Sequence, residues 1–292
     1  MAAIKDILVA PPELGLILEA DYSQLEVIIQ AQLAGPGQLQ EDILSGKDIH
    51  SLLLAERIPE SYEEIVERVE VGDKDMTYKR KMNKRMSFQL QYGAGYKSMA
   101  YKLGLPTSET REFIKSYYGR YPEVKEWQKK MIKSVEDSAV PSGRTSPTGY
   151  PIKVGTHQSQ TGRIYTFVET DTPADMRSFA GRVGFNPPNI KNYPVQGLAT
   201  GDLVPIALAL LLDKVLYEDL QGRKILVPFN TVHDSIAAYT TPDAYEDGAK
   251  IMQETMLSAA DVLLEDFGIE LFAPLRVEVE VGETLNDMRR II

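Results

Sequence analysis

The chain is 292 residues long, 43% hydrophobic and 25% charged, with a formal net charge of −10, a size that buries a real core in one large or two modest domains. It has no Cys and three His, which excludes disulfides, thiol catalysis and Cys-based zinc sites and leaves oxygen-bound hard cations as the metals to look for. No unbroken apolar run reaches the roughly eighteen residues of a membrane span, and the N-terminal MAAIKDILVAPPELG lacks the layout of a signal peptide, so the expectation is a cytoplasmic protein with no membrane partner.

In chain order, LGLILEA at Leu14 to Ala20 predicts a short strand ending beside Asp21. Glu26 to Leu33 reads as a helix stopped by Gly35-Pro36-Gly37. Further helices are predicted at Ile49 to Glu56, Ser61 to Val69 and Asp75 to Gln91, the last ending at Gly93-Ala94-Gly95. Others follow at Ser98 to Leu103, Ser108 to Gly119 and Val124 to Ser138. Residues 140 to 190 are rich in Pro, Gly, Ser and Thr, with strand candidates at Ile152 to Val154 and Ile164 to Phe167. A helix at Gly201 to Leu220 precedes two apolar runs, Ile225 to Phe229 and Ile236 to Tyr239. A helix at Ala244 to Phe267 and a strand at Leu275 to Val281 close the pattern. Strands at both ends and about 150 mostly helical residues between them predict an α+β fold: one sheet domain interrupted by a large helical insertion.

Charge is unevenly spread. Lys74 to Lys133 hold fifteen Lys or Arg against five Asp or Glu, a balance of +10, so the remainder carries −20. A basic segment on an acidic chain can hold a polyanion locally, or can be a solvated helix face. Within it, Arg80, Lys84, Phe88 and Tyr92 recur every four residues and stack along one helix face. Two cations could grip a polyphosphate and two rings could stack on a base and sugar; the alternative is a core stripe with basic neighbours.

His233 and Asp234 interrupt the two apolar runs near the C-terminal end. A hairpin turn accounts for them, since Asp caps backbone N–H groups there. A metal-binding carboxylate at a rigid hairpin tip accounts for them too, if a partner carboxylate exists. Asp21, at the end of the first strand, is that partner. Two carboxylates in one sheet repel unless a cation neutralises them, and two divalent ions about 4 Å apart clamp both oxygens of a phosphoryl transfer.

These stretches together resemble the family A DNA polymerases, the bacterial DNA polymerase I class. DYSQLE from Asp21 resembles motif A, the R-x3-K-x3-F-x3-YG pattern from Arg80 to Gly93 resembles motif B, and VHDS resembles motif C. KDIH at Lys47 to His50, YYGRYPEVKEW at Tyr117 to Trp127 and NYPVQGLATGD at Asn192 to Asp202 resemble three further segments of that family, in the same order. The resemblance covers nearly the whole chain. It implies an antiparallel palm sheet from residues 1–27 and 191–292 and helical fingers from 28–190. It implies a DNA-directed DNA polymerase, a nucleotidyltransferase acting on primer-template DNA and deoxynucleoside triphosphates with two Mg2+ ions. Asp21, Asp234 and the Tyr22 carbonyl would hold the metals. Arg80, Lys84 and His50 would hold the triphosphate, with Lys84 also donating a proton to the leaving group. Phe88 would pack on the incoming sugar and base, Tyr92 would sit near the template base, and Gln24 and Glu26 would line the sugar pocket. His233, Asn192 and Gln196 would contact the primer end or the nearby minor groove.

The chain departs from that family in three places. Motif C ends in Ser235 where bacterial members carry Glu, a form also familiar from phage-type RNA polymerases. An Arg expected before N-x-P-x-Q-G is absent, and Lys191 is the candidate substitute. The thumb, an upstream T-G-R motif and a proofreading domain are expected to be missing. The N-terminus, MAAIKD, fits a natural start, so the expectation is a phage split polymerase working in the host cytoplasm, with a second polypeptide supplying thumb and upstream palm. The alternatives are a phage-type RNA polymerase fragment, which would lack a carboxylate like Glu26 crowding the sugar, and a non-catalytic DNA-binding assembly subunit.

Overall fold

The computed structural model describes residues 7–173, 177, 181–220, 222 and 226–292. Its contacts divide the chain into two compact units: the chain up to Ile29 together with Gln196–Ile292, and Gln30–Val195. The corresponding expectation placed the insertion at 28–190. The first crossing falls inside a helix, α1 (Leu25–Ala34), where no sequence breaker marks it.

The first unit is built on five antiparallel strands in the order β10-β9-β1-β8-β7: β1 (Leu16–Tyr22), β7 (Val227–Val232), β8 (Ser235–Thr240), β9 (Val277–Gly282) and β10 (Arg289–Arg290). Strand β1 is central and pairs Asp21 with Ser235 of β8 on one side and with Glu278 of β9 on the other. Alternation sorts its two faces. Leu18, Ala20 and Tyr22, with Ile236, Ala238, Val277, Val279 and Val281 of the neighbouring strands, are buried. That face packs on α11 (Tyr245–Phe267), whose Met252, Met256, Ala259 and Leu263 are fully buried at helical spacing. Gly248 of α11 marks the closest approach, since a Cβ there would lie 3.1 Å from Leu18 Cδ1. The other face of β1 carries Glu19 and Asp21. Beside α11 lies α10 (Val204–Leu220), preceded by a π-helical segment, Gly197–Leu203.

Although no unbroken apolar run of membrane-spanning length exists in the sequence, the continuous helical run Pro187–Glu218 contains an 18-residue window of mean hydropathy 1.7. Leu203, Val204, Ala207 and Leu211 on this run are buried, while Leu212, Leu216 and Tyr217 are exposed.

The second unit carries α2 (Gln38–Leu44), α3 (Ile49–Ala55), α4 (Tyr62–Glu70), α5 (Lys74–Gln91), α6 (Tyr96–Leu103), α7 (Thr107–Arg120), α8 (Pro122–Asp137) and most of α9 (Pro187–Gln196). It also holds a small antiparallel sheet, β2 (Val140–Thr145), β3 (Pro151–Gln158) and β4 (Ile164–Val168), and a two-stranded ribbon, β5 (Thr170–Asp171) with β6 (Val183–Gly184). Met131, Val135, Phe167 and Ile190 form one core and Leu54, Ile65 and Met76 another. Helix α4 starts on a capping box, with Ser61 and Glu64 each bonded to the other's backbone N–H.

The predicted β and α segments all have counterparts, with shifted ends. The first strand runs through Asp21 to Tyr22 rather than stopping before them. Residues 187–196, for which no helix is predicted, are helical, because Pro187 and Pro188 fall in the first turn where no N–H is needed. Ile225, the start of one predicted strand, lies outside the described residues.

Candidate active site

Strand β1 and the β7–β8 hairpin position the paired carboxylates. The hairpin closes on a two-residue turn, His233-Asp234, between the bonded pair Val232 and Ser235. Tyr22 donates its N–H to the Asp234 carbonyl at 3.3 Å, which fastens the turn to β1. His233 has φ 55°, a left-handed conformation that costs a side-chain-bearing residue. Gln24 shares that property, at φ 58°, in the turn after β1. Its carbonyl accepts the N–H groups of Val27 and Ile28 and so starts α1, with Glu26 in the first turn. These are the described non-Gly residues with positive φ, and both flank the aspartates.

The Asp21 carboxyl is pushed up to about 7, first by partial burial and then by the charge of Asp234 and a shared hydrogen bond with it, with Glu19 and Glu278 adding to the effect. Crowded carboxylates raise each other's proton affinity in this way. Glu278 is offset by an ion pair with Arg290 at 2.9 Å. Ser235, where bacterial relatives were expected to carry Glu, donates its hydroxyl to Glu19 Oε1 at 3.2 Å and to the Val232 carbonyl at 3.1 Å. A carboxylate therefore does sit beside Ser235, contributed by β1. Among the described residues no group of three or more His, Asp or Glu side chains forms a ready metal cage. The Asp21–Asp234 pair, all oxygen and short of positive charge, fits a hard divalent cation that also draws ligands from elsewhere. Tyr22 is anchored by its buried phenol, which donates to the Met256 carbonyl at 2.5 Å; burial raises its pKa.

The helical unit holds a second constellation. Arg80, Lys84 and Phe88 follow one another along α5, and Lys84 Nζ lies 5.6 Å from the Phe88 ring centroid. Tyr92 caps the helix end at 39% exposure, so the stripe stops being helical there. Gly93 then takes φ 74°, and a Cβ would collide with the Pro188 backbone. Helix α3 brings His50 to this face, 6.0 Å from Phe88 ring to ring. His50 is 5% exposed, and its Nδ1 makes no hydrogen bond. Burial first, and then Lys84 and Arg80, lower its pKa to about 4 against the opposing pull of Asp48, so the ring is neutral at pH 7.

Sequence reasoning missed Asp48. It caps α3 and holds Arg80 through two hydrogen bonds of 2.8 Å. The D-x-x-S spacing, Asp48 to Ser51, is a signal for the cap but carries none for the Arg partner. Asn83 was missed as well; it donates to the His50 carbonyl at 2.6 Å and accepts from Arg57 at 2.6 Å. Asn192 is buried on α9, and the carbonyl of Gln196, at its end, accepts the Thr200 hydroxyl. His233 is exposed. Lys191, the candidate stand-in for the missing Arg, has its pKa lowered by burial.

A solved structure, the POL domain of Pol1 from M. smegmatis in complex with DNA primer-template and dNTP, superposes over 98% of this chain and 42% of that one, with a TM-score of 0.67 and 20% identity. The fold is thus that of a polymerase domain. DNA polymerase I of Lactococcus lactis subsp. cremoris is 26% identical over 274 residues, 94% of this chain and 26% of the relative. The Geobacillus stearothermophilus enzyme of the same name gives the same figures, and the thermostable DNA polymerase I of Thermus filiformis is 27% identical over 267 residues, 91% of this chain and 26% of that one. The chain therefore spans about a quarter of the length of these relatives. The model of the family "DNA polymerase family A" matches residues 1–287, and the chain belongs to that family. Its members generally depend on divalent metal ions.

Proposed function

We propose that this chain is the palm-and-fingers portion of a DNA-templated DNA polymerase, palm 1–27 and 191–292 and fingers 28–190, extending a primer with deoxynucleoside triphosphates at two Mg2+ ions. The observation that carries the reading is the contact between the Asp21 and Asp234 carboxylates at a hairpin tip and the neighbouring strand. When bound by Asp21, Asp234 and the Tyr22 carbonyl, the ions supply a lowered pKa for the primer hydroxyl and neutralisation of the leaving pyrophosphate.

The chain's own residues do the rest. Arg80 and Lys84 hold the triphosphate as charge donors. Lys84, exposed on α5, gives a proton to the departing pyrophosphate. Neutral His50 adds a hydrogen bond without adding charge. Phe88 covers the incoming sugar and base, and Tyr92 lies against the template base. Gln24 and Glu26 border the sugar, where Glu26 excludes a ribose hydroxyl. That role sets the proposal apart from a phage-type RNA polymerase, the reading Ser235 favours. Asn192, Gln196 and His233 contact the primer end. Residues 205–288 hold five Lys or Arg against sixteen Asp or Glu, so they offer duplex DNA few phosphate partners. That scarcity supports a second polypeptide that supplies the grip. The expected setting is the cytoplasm, that of a host if a phage encodes the chain.

The test is extension of a primed template with Mg2+. Asp21→Ala and Asp234→Ala should each lower nucleotide addition by about a thousandfold or more, with circular dichroism unchanged, because the metals carry most of the charge stabilisation. Near-normal turnover in either variant would overturn the assignment. Ribonucleotide-only extension would favour the RNA polymerase, and binding without extension the assembly subunit.

A further inference from the structure

We propose that Asp48 is a positioning residue for the nucleotide-binding face of the helical unit, fixing which edge of Arg80 is offered to phosphate; this rests on the polymerase reading above. One carboxylate gathers four hydrogen bonds. Asp48 Oδ2 accepts from Arg80 Nε at 2.8 Å, from the Ser51 N–H at 2.8 Å and from the Ser51 hydroxyl at 2.6 Å. Its Oδ1 accepts from Arg80 Nη2 at 2.8 Å. The Asp48 N–H in turn donates to the Tyr62 phenol oxygen at 3.1 Å, so the residue that does the holding is itself held.

A guanidinium has five N–H donors in a rigid plane. Pairing through Nε and Nη2 consumes one edge and leaves the end-on fork, Nη1 with the outer Nη2 hydrogen, pointing away from Asp48. Nη1 makes no hydrogen bond among the described residues. That fork matches two oxygens of a phosphate. A free Arg side chain would have to surrender rotamer entropy on binding; here much of it is surrendered in the fold.

The same carboxylate registers a second group. Asp48 caps α3, so the first turn of that helix, which carries His50, is set by the residue that sets Arg80. One turn further along α5 than Arg80, Asn83 clamps the His50 carbonyl. Helices α3 and α5 are thus pinned at two rungs. Arg80 Nη1 and the His50 ring, whose Nδ1 is buried without a partner, are left as unused polar atoms beside exposed Lys84. A plain N-cap would need only the Ser51 bonds and accounts for neither the bidentate pair nor these unused atoms.

The obvious alternative is competition, with Asp48 sequestering Arg80 until phosphate displaces it. The two make opposite predictions. The experiment uses Asp48→Asn and Asp48→Ser, both good helix caps with one acceptor oxygen and no carboxylate, in the full chain on a primed template. It measures KM and kcat for dTTP opposite template adenine, and dTTP affinity on a dideoxy-terminated primer. Positioning predicts affinity weaker by roughly ten- to a hundredfold, the loss of a charge-assisted pair, with kcat changed less than about threefold. It predicts no further loss when Asp48→Asn is combined with Arg80→Ala. Tighter dTTP binding in Asp48→Asn and Asp48→Ser, or unchanged binding in both, overturns the inference. Arg80→Ala alone separates the two levels: if it leaves dTTP affinity unchanged, the triphosphate role of Arg80 fails; if it weakens affinity while both Asp48 variants do not, only the positioning role fails.

Discussion

At Asp21 and His50 the fold moves two proton affinities in opposite senses. Asp21 rises from 3.8 to about 7, so its contribution to stability is fully present below pH 3.8 and is lost as pH rises through about 7. His50 falls from 6.5 to about 4, so its contribution is present above pH 6.5 and is lost as pH falls towards 4. On the buried imidazole the shift corresponds to something on the order of 3 kcal/mol; Asp21 is too open to water for a like conversion. The two effects oppose each other across one pH window, so the wild-type profile alone hides both. The comparison with Asp21→Asn exposes the first. In metal-free buffer that variant should melt above wild type at pH 8, and the gap should close near pH 4. Adding Mg2+ should raise the wild-type melting temperature and leave the variant's almost unmoved. A gap independent of pH, measured by calorimetry from pH 4 to 8, would remove the repulsion between Asp21 and Asp234 from the account.

The hairpin and the basic helix show what an element can and cannot announce in sequence. In the hairpin, turn-prone residues between apolar runs identified the turn, yet nothing local shows that His233 takes a positive φ. That conformation follows from the two-residue connection between paired strands. His233→Gly should therefore change stability by less than about 1 kcal/mol, since relief of strain and loss of unfolded-state restriction offset. His233→Val should cost about 1–2 kcal/mol more, because a branched Cβ resists that region. Equal urea midpoints for the two variants would mean the positive φ is not enforced. Helix α5 was legible from its four-residue spacing and glycine exit. Helix α2 was not: it is seven residues long, its N-cap Gly37 offers no side-chain bond, and the Glu123 carboxylate accepts the Leu39 N–H from 84 positions away. Asp48 escaped for the same reason, because its Arg80 partner is 32 residues distant.

Over the whole molecule, the sequence order of strands and helices forecast a sheet unit interrupted by a helical one. The motifs forecast which carboxylates would meet. Strand order was not forecast. That β1 lies in the middle, with β8 and β9 as neighbours, depends on pairings some 220 and 260 residues away in sequence, which local propensity does not encode. The departure at Ser235 likewise resolves only in three dimensions, where Glu19 comes from another strand to meet its hydroxyl. The partition of charge, by contrast, could be read directly: +10 within Lys74 to Lys133 and −20 elsewhere.

The central place of β1 has a consequence for birth on the ribosome. Both strands that flank β1 are translated more than 200 residues after it. At about 5–20 residues per second, β1 waits roughly 10–45 s with both edges unpaired. Gln30–Val195, whose contacts are largely internal, is complete well before then. A stalled nascent chain with Val195 just outside the exit tunnel should resist brief proteolysis across Gln30–Val195 while being cut at Leu16–Tyr22. Protection of β1 in that stalled chain would show that it finds a temporary partner. Without one, the apolar start of β1, LIL before Glu19 and Asp21, is the point at which slow translation or a destabilised β8 would divert the chain towards aggregation.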